Sequence, residues 1–166
     1  MSEIDNNLII EPTVIYGTVS DSINYDIYKM LGKELLHNRL TKIKCFLKSN
    51  SIYGIQFTYK DKRDAKETIV DINSKEKDLI EQEMDLNDDE EIIDFKLWID
   101  YDVKLVGFEI TTSKERKVKF GFGNDDDELR CVELLNRDKI IIGFGCFADD
   151  KEGVTAICAY YINKKE

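Results

Sequence analysis

With 166 residues, 42% of them hydrophobic, the chain is long enough to bury a substantial core in one domain. Its formal charge of −10 argues against nucleic acid and anionic membrane surfaces, where neutralised phosphate supplies most of the affinity. No apolar run approaches the ~20 residues of a membrane span; the longest, Ile140 to Ala148, is broken by glycines. One proline, Pro12, and no Gly/Ser-rich linker leave nothing to divide the chain into two domains.

Met1-Ser-Glu-Ile-Asp-Asn-Asn is polar and acidic, unlike a secretion signal, so a cytoplasmic or otherwise intracellular location is expected. Residues 1–12 read as a tail, 13–163 as the folded domain and 164–166 as a second short tail. Thr13-Val-Ile-Tyr16 has the composition of a short strand ended by Gly17. Over 25–36, Tyr28, Leu31 and Leu35 have helical spacing, and both a short helix and an irregular hairpin fit. Strands follow at Ile43–Leu47, at Ile52–Tyr59 with Ile55, Phe57 and Tyr59 on one face, and at Glu67–Val70. The charged stretch Lys75–Glu83 reads as exposed helical turns. A second unit, Met84–Phe122, holds strands at Glu91–Ile99, Val103–Thr111 and Val118–Phe122. A third, Leu129–Ile162, holds Leu129–Leu134, Lys139–Phe147 and Val154–Ile162.

One motif organises these strands. Ile52-x-x-Ile55-x-Phe57, Val103-x-x-Val106-x-Phe108 and Val154-x-x-Ile157-x-Ala159 start at a constant interval of 51 residues. Each has an apolar partner upstream, Leu40–Ile43, Ile92–Phe95 and Ile141–Phe144. A period near ~50 residues marks repeated supersecondary units. Three hairpins of one design predict an all-β domain with three-fold pseudo-symmetry.

Candidate chemistry is sparse. The acidic runs Asp85–Glu91, Asn124–Glu128 and Asp149–Glu152 sit between strands and read as solvated turns. The first lacks the glycine of a calcium-binding helix–loop–helix, and no metal site is assigned. Cys45, Cys131, Cys146 and Cys158 lie among apolar residues without zinc or redox spacing, as buried reduced thiols do. His37 is the only histidine and has no nucleophile in context; Gly121-Phe-Gly123 ends a strand with no helix after it, unlike a phosphate loop. No catalytic residue and no cofactor are expected. Trp98 and Tyr101, near the tip of the second hairpin, are the exposed-aromatic candidates for an interaction surface.

Four stretches, in order, resemble the jacalin-related lectins. Tyr53-Gly-Ile-Gln-Phe-Thr-Tyr-Lys-Asp61 resembles A-I-Q-V-T-Y-x-D-G, and Glu83-Met-Asp-Leu-Asn-Asp-Asp-Glu-Glu-Ile92 resembles F-x-L-x-x-x-E-x-I. Asp102–Thr112 with Lys119–Gly123 resembles Y-V-x-x-L-x-F-x-T and F-G-P-F-G. Ile141–Phe144 with Val154–Tyr160 resembles I-V-G-F-H-G and L-D-A-I-G-V-Y. The resemblance covers about residues 13–162 and implies a β-prism I fold of three Greek-key four-stranded sheets.

It also implies where a sugar would sit: a glycine-rich first loop facing a G-x-x-x-D loop near the C-terminus. Glycines let backbone N–H groups approach a flat ring, and the carboxylate accepts from two sugar hydroxyls. Here Gly17 remains, but Thr18, Ser20 and Asp21 replace the following glycines. Lys151 stands for the later glycine and Thr155 for the aspartate; the equivalent loops of the other sheets offer Ser49 with Tyr53 and Asp100 with Lys104. Gly17, Thr18, Asp149, Asp150, Lys151, Glu152 and Thr155 are therefore the residues of any retained site. The expectation is a non-enzymatic binding module with a degenerate sugar site, acting as a structural subunit beside protein partners in an intracellular assembly. The richness in Ile, Lys, Asn and Asp suggests an AT-rich genome, and a cytoskeletal, ciliary or organellar complex as host. The alternative is a mannose- or galactose-type lectin using a non-standard loop, with glycans as its partners.

Overall fold

Period-two alternation runs through most of the chain, and strands follow from it. The computed structural model describes residues 8–17, 23–48, 51–75, 77–100, 105–122, 130–134, 138–149 and 151–163. In chain order its elements are β1 (Glu11–Pro12), β2 (Tyr16–Gly17), β3 (Ile23–Asp26), helix α1 (Ile27–Leu31), a 3-10 helix (Gly32–His37), β4 (Asn38–Lys48) and β5 (Ser51–Asp61). Then come β6 (Glu67–Ile72), β7 (Ile80–Asp85), β8 (Ile92–Ile99), β9 (Leu105–Thr112) and β10 (Lys117–Gly121), followed by β11 (Arg130–Leu134), β12 (Lys139–Asp149) and β13 (Gly153–Asn163).

The hairpins β4–β5, β8–β9 and β12–β13 form the frame. Each takes an outer strand on either side, giving β7-β4-β5-β6 and β11-β8-β9-β10. Both are Greek keys, three consecutive strands and a fourth returning beside the first. The third sheet draws its outer strands from the start of the chain, β3 beside β12 and β1 with β2 beside β13. One residue pair, Ile141 with Ile92, links the second and third sheets. The result is a β-prism. Each hairpin carries an extra residue near its open end, Thr41, Ile93 and Ile142, where the register shifts. Such bulges bend and twist a strand pair, and their recurrence curves the three sheets alike.

The core is aromatic and shared by all three sheets. Phe144 lies 5.2 Å from Phe57 and 5.4 Å from Phe95, and Phe108 lies 5.8 Å from Phe95 and 5.2 Å from Phe120. Such pairs add about 0.5–1.5 kcal/mol each beyond the area they bury. The third copy of the motif ends in Ala159 rather than phenylalanine for a packing reason. Across the hairpins the inward pairs are Ile43 with Phe57, Leu97 with Phe108 and Phe144 with Ala159. The large residue has moved to the other strand and the pair keeps one phenylalanine.

Several expectations need correction. The stretch expected as helical turns over 75–83 instead enters β7, which pairs with β4 from Leu47–Ile80 to Lys42–Asp85. Its alternation decides this: Met84 is buried, while Glu81, Glu83 and Asp85 face outward toward the lysines of β4. Lys42 lies 2.8 Å from Glu83, and Lys44 3.4 Å from Glu81. β11, expected in the third unit, pairs with β8 and completes the second. Where a strand was expected over Thr13–Tyr16, two short strands flank Thr13–Ile15, with β1 at Glu11–Pro12 inside the expected tail and β2 at Tyr16–Gly17. Between them the Thr13 N–H donates to the Ala159 carbonyl at 2.8 Å, and the Ala159 N–H donates to Thr13 Oγ1 at 3.0 Å. In the open stretch 25–36 a helix forms. Asp26 caps it by accepting from the N–H groups of Tyr28 and Lys29 at 2.8 and 3.3 Å.

The acidic run after β7 is not all solvated turn. Glu90 is 3% exposed and joins the first and second sheets. It accepts from Arg116 Nε and Nη2 at 2.8 and 2.5 Å, from Thr112 Oγ1 at 2.5 Å and from the Asn87 N–H at 3.1 Å. Arg116 also donates to the Asp85 carbonyl. The Arg116 guanidinium, and then the Thr112 hydroxyl and the Asn87 N–H, hold the Glu90 carboxyl down at about 2 against an ordinary 4.5, despite burial. A depressed folded pKa means that the unfolded chain binds the proton first. This contribution to stability is complete above pH 4.5 and drains away as pH falls toward about 2. A series of thermal midpoints from neutral pH to pH 2 should therefore show a steeper acid decline in the native chain than in Glu90→Gln. Parallel declines would contradict the assignment.

Candidate functional site

The sequence points to the seam where the first residues of the domain meet its last hairpin. Gly17 pairs with Ala156, and its backbone lies flat against the neighbouring residue. A Cβ there would stand 2.2 Å from the Thr155 carbonyl, and its φ of +120° also favours glycine. The glycine is thus required by close approach, whether or not a ligand binds.

Thr155 is the extra residue of a bulge in β13, opposite Phe147 and Ala148 of β12. A bulge re-aims the side chain it carries. Thr155 is 5% exposed, and its hydroxyl donates to the Phe147 carbonyl at 3.3 Å. The position where a lectin of this pattern would hold a carboxylate thus carries a neutral hydroxyl turned onto its own hairpin.

Asp149 ends β12 at the tip of the same hairpin. Its Oδ1 accepts from the Lys151 N–H at 2.9 Å and from the Glu152 N–H, the side-chain mimic of a backbone turn. Lys151 and Glu152 are exposed at this tip. Thr18 and Asp150 lie outside the described residues, as do Ser49, Tyr101 and Lys104. The structure therefore brings together Gly17 and Thr155 in contact, with Asp149, Lys151 and Glu152 at the adjoining tip.

A residue that sequence reading missed fixes this tip. Asn73, after β6, donates through Nδ2 to the Asp149 carbonyl at 3.1 Å and to the Tyr53 carbonyl at 3.2 Å. Its φ of 52° is left-handed, a conformation asparagine tolerates better than most residues. Gly153 seats the tip from the other side, since a Cβ there would stand 2.6 Å from Tyr53 Cα. The third hairpin is thereby docked on the first sheet.

Trp98 is not an exposed anchor. It is 3% exposed and pairs across the hairpin with Gly107. The ammonium groups of Lys96 and Lys119 lie 5.1 and 4.8 Å from its ring centroid and close over it. Cys45, Cys146 and Cys158 are buried free thiols, and burial pushes all three above their ordinary value. Thiols held protonated in this way are poor nucleophiles.

Comparison with known proteins agrees with this geometry. The family model described as Jacalin-like lectin domain matches residues 17–160. A mannose-binding jacalin-related lectin from Ananas comosus superposes with a TM-score of 0.65 at 17% identity, covering 93% of this chain and 98% of that one. Calystegia sepium agglutinin gives 0.65 at 14% identity, with 94% and 98% covered. PirB gives 0.71 at 14% identity; 97% of this chain matches, against 40% of that longer protein. No curated protein matches the chain.

Asp149 generates a direct test of the tip. Asp149→Ala removes the acceptor for two turn amides, each bond worth about 1 kcal/mol. Hydrogen exchange at the amides of Lys151 and Glu152 should accelerate about tenfold, consistent with ~1.4 kcal/mol of lost protection. Unchanged exchange would show that the turn holds without that carboxylate.

Proposed function

Because the chain belongs to the Jacalin-like lectin domain family, we propose that it is a non-enzymatic binding module whose sugar end is degenerate and which works through protein contacts, as a structural subunit of an intracellular assembly. The observation that carries this reading is where the oxygens at the seam are spent. Thr155 Oγ1 donates to the Phe147 carbonyl, and Asp149 Oδ1 takes two turn amides. A charged acceptor contributes about 1.5–3 kcal/mol to a hydrogen bond, which is about ten- to a hundredfold in affinity. A site with millimolar affinity loses measurable binding on that scale. The buried thiols support a reducing compartment.

The second reading is a lectin using a non-standard loop. It is supported by the charged residues Asp149, Lys151 and Glu152 at the tip beside Gly17. The Ananas comosus lectin described as mannose-binding shares the fold; at this identity that likeness speaks for the fold alone.

A broad glycan array, probed with the native chain and with Thr155→Asp, separates the two. The expected outcome is a blank array for the native chain and new signal for the variant. Specific binding by the native chain, lost on changing the exposed tip residues Lys151 or Glu152, would restore the lectin.

A further inference from the structure

In a chain of formal charge −10, positive charge collects on the first sheet. β4 carries Arg39, Lys42, Lys44 and Lys48 and no carboxylate. Lys42 and Lys44 are taken up by Glu83 and Glu81 of β7. Arg39 is held by Asp88 and by the carbonyls of Leu86 and Asn87. Lys60 of β5 is different. It stands directly opposite Arg39 in the β4–β5 register, and like charges so placed disfavour each other. Glu67 is its register partner on β6, yet no carboxylate among the described residues forms an ion pair with it. Beside this pair a groove of about 490 Å³ crosses the outer face of the first sheet. Thr58 lines it while only 8% exposed, so it forms the floor, and Gln56 lies next to it on the same face of β5. Neither the Thr58 hydroxyl nor the Gln56 amide makes a hydrogen bond among the described residues. Polar groups buried to this degree are ordinarily paired.

We propose that this groove binds the oxyanion of a phosphate or sulfate ester whose organic part is apolar. The charged oxygens of such a group accept hydrogen bonds, and the groove is rich in donors. Lys60 Nζ, the Thr58 hydroxyl and the Gln56 amide are all uncommitted among the described residues. The Lys42 ammonium lies 2.8 Å from Glu83 and has further hydrogens to give. Glu67 and Asp85 also line the groove, against Arg39, Lys42 and Lys60, so the balance there is positive. An anion seated beside Arg39 and Lys60 offsets the like-charge contact that the fold alone leaves. Ile69, 50% exposed in the groove, gives the organic part an apolar surface together with Leu86. The groove shares no residue with the seam of Gly17 and Thr155, so the inference holds whether or not the sugar end binds.

Heteronuclear NMR of the full chain, titrated with phenyl phosphate and separately with phenyl sulfate at constant ionic strength, tests it. Saturable shifts of the Gln56 side-chain amide and of the Thr58 and Lys60 backbone amides are expected with at least one ester. The tighter of the two names the preferred oxyanion, and phenol should move none of these signals. Lys60→Gln, at an exposed position, should weaken binding about fivefold. Thr58→Val, which keeps the shape and loses the hydroxyl, should weaken it about threefold. Lys117→Gln, on the second sheet, should bind like the native chain. Signals that stay in place with both esters would overturn the proposal. So would shifts that phenol reproduces, or Lys60→Gln and Thr58→Val variants that both bind as tightly as the native chain.

Discussion

The third sheet takes its outer strands from the far side of the sequence, and the molecule depends on that closure. β12 and β13 are flanked by residues from the first part of the sequence, β3 on one side and β1 with β2 on the other. The reciprocal bonds between Thr13 and Ala159 close that seam. Only with it closed do all three sheets face the aromatic core, in which Phe144 of the third sheet touches Phe57 of the first and Phe95 of the second. The same seam sets Gly17 against Thr155, so the candidate site is a by-product of ring closure. Its backbone shape has a structural reason of its own, the close approach of Gly17 to Thr155.

At this seam the requirements of the fold alone account for the backbone shape. Backbone approach at Gly17 is enforced by the Thr155 carbonyl, and the tip of the third hairpin is held by Asn73 and Gly153 against the first sheet. None of these restraints needs a carboxylate facing solvent. Thr155 Oγ1 and Asp149 Oδ1 both bond within the hairpin itself. Binding demands more of a side chain than folding does, because it needs an acceptor left unspent in the free protein.

Much of the architecture was legible in the residues. The 51-residue interval and the alternation of Ile55, Phe57 and Tyr59 identified hairpins, and their number identified the prism. What escaped did so for physical reasons. β7 is a strand in which the alternate positions are glutamate or aspartate, so its charge mimics an exposed helix until Lys42 and Lys44 are placed opposite. β11 follows a long acidic connection, and nothing local says that it returns to β8 rather than joining β12. Within Asp85–Glu91 the buried acidic residue is indistinguishable from its acidic neighbours, since Glu90 is singled out by Thr112 at the end of β9 and by Arg116 just before β10. Asn73 acts on residues far away in sequence through one left-handed conformation. Trp98 was read as exposed, whereas the ammonium groups of Lys96 and Lys119 lie over its ring. Of the candidate sugar residues, the Gly17–Thr155 juxtaposition was foreseen by the family pattern, whereas the internal use of Asp149 needed coordinates.

The most direct measurement is a heteronuclear NMR titration of the native chain with methyl mannoside and methyl galactoside, following the backbone amides of Gly17, Gly153 and Ala156. A seam whose Thr155 Oγ1 and Asp149 Oδ1 serve the hairpin should leave those resonances in place up to the highest sugar concentration reached. Saturable movement confined to them would contradict it, and would show that the family's ligand still binds where its carboxylate is missing.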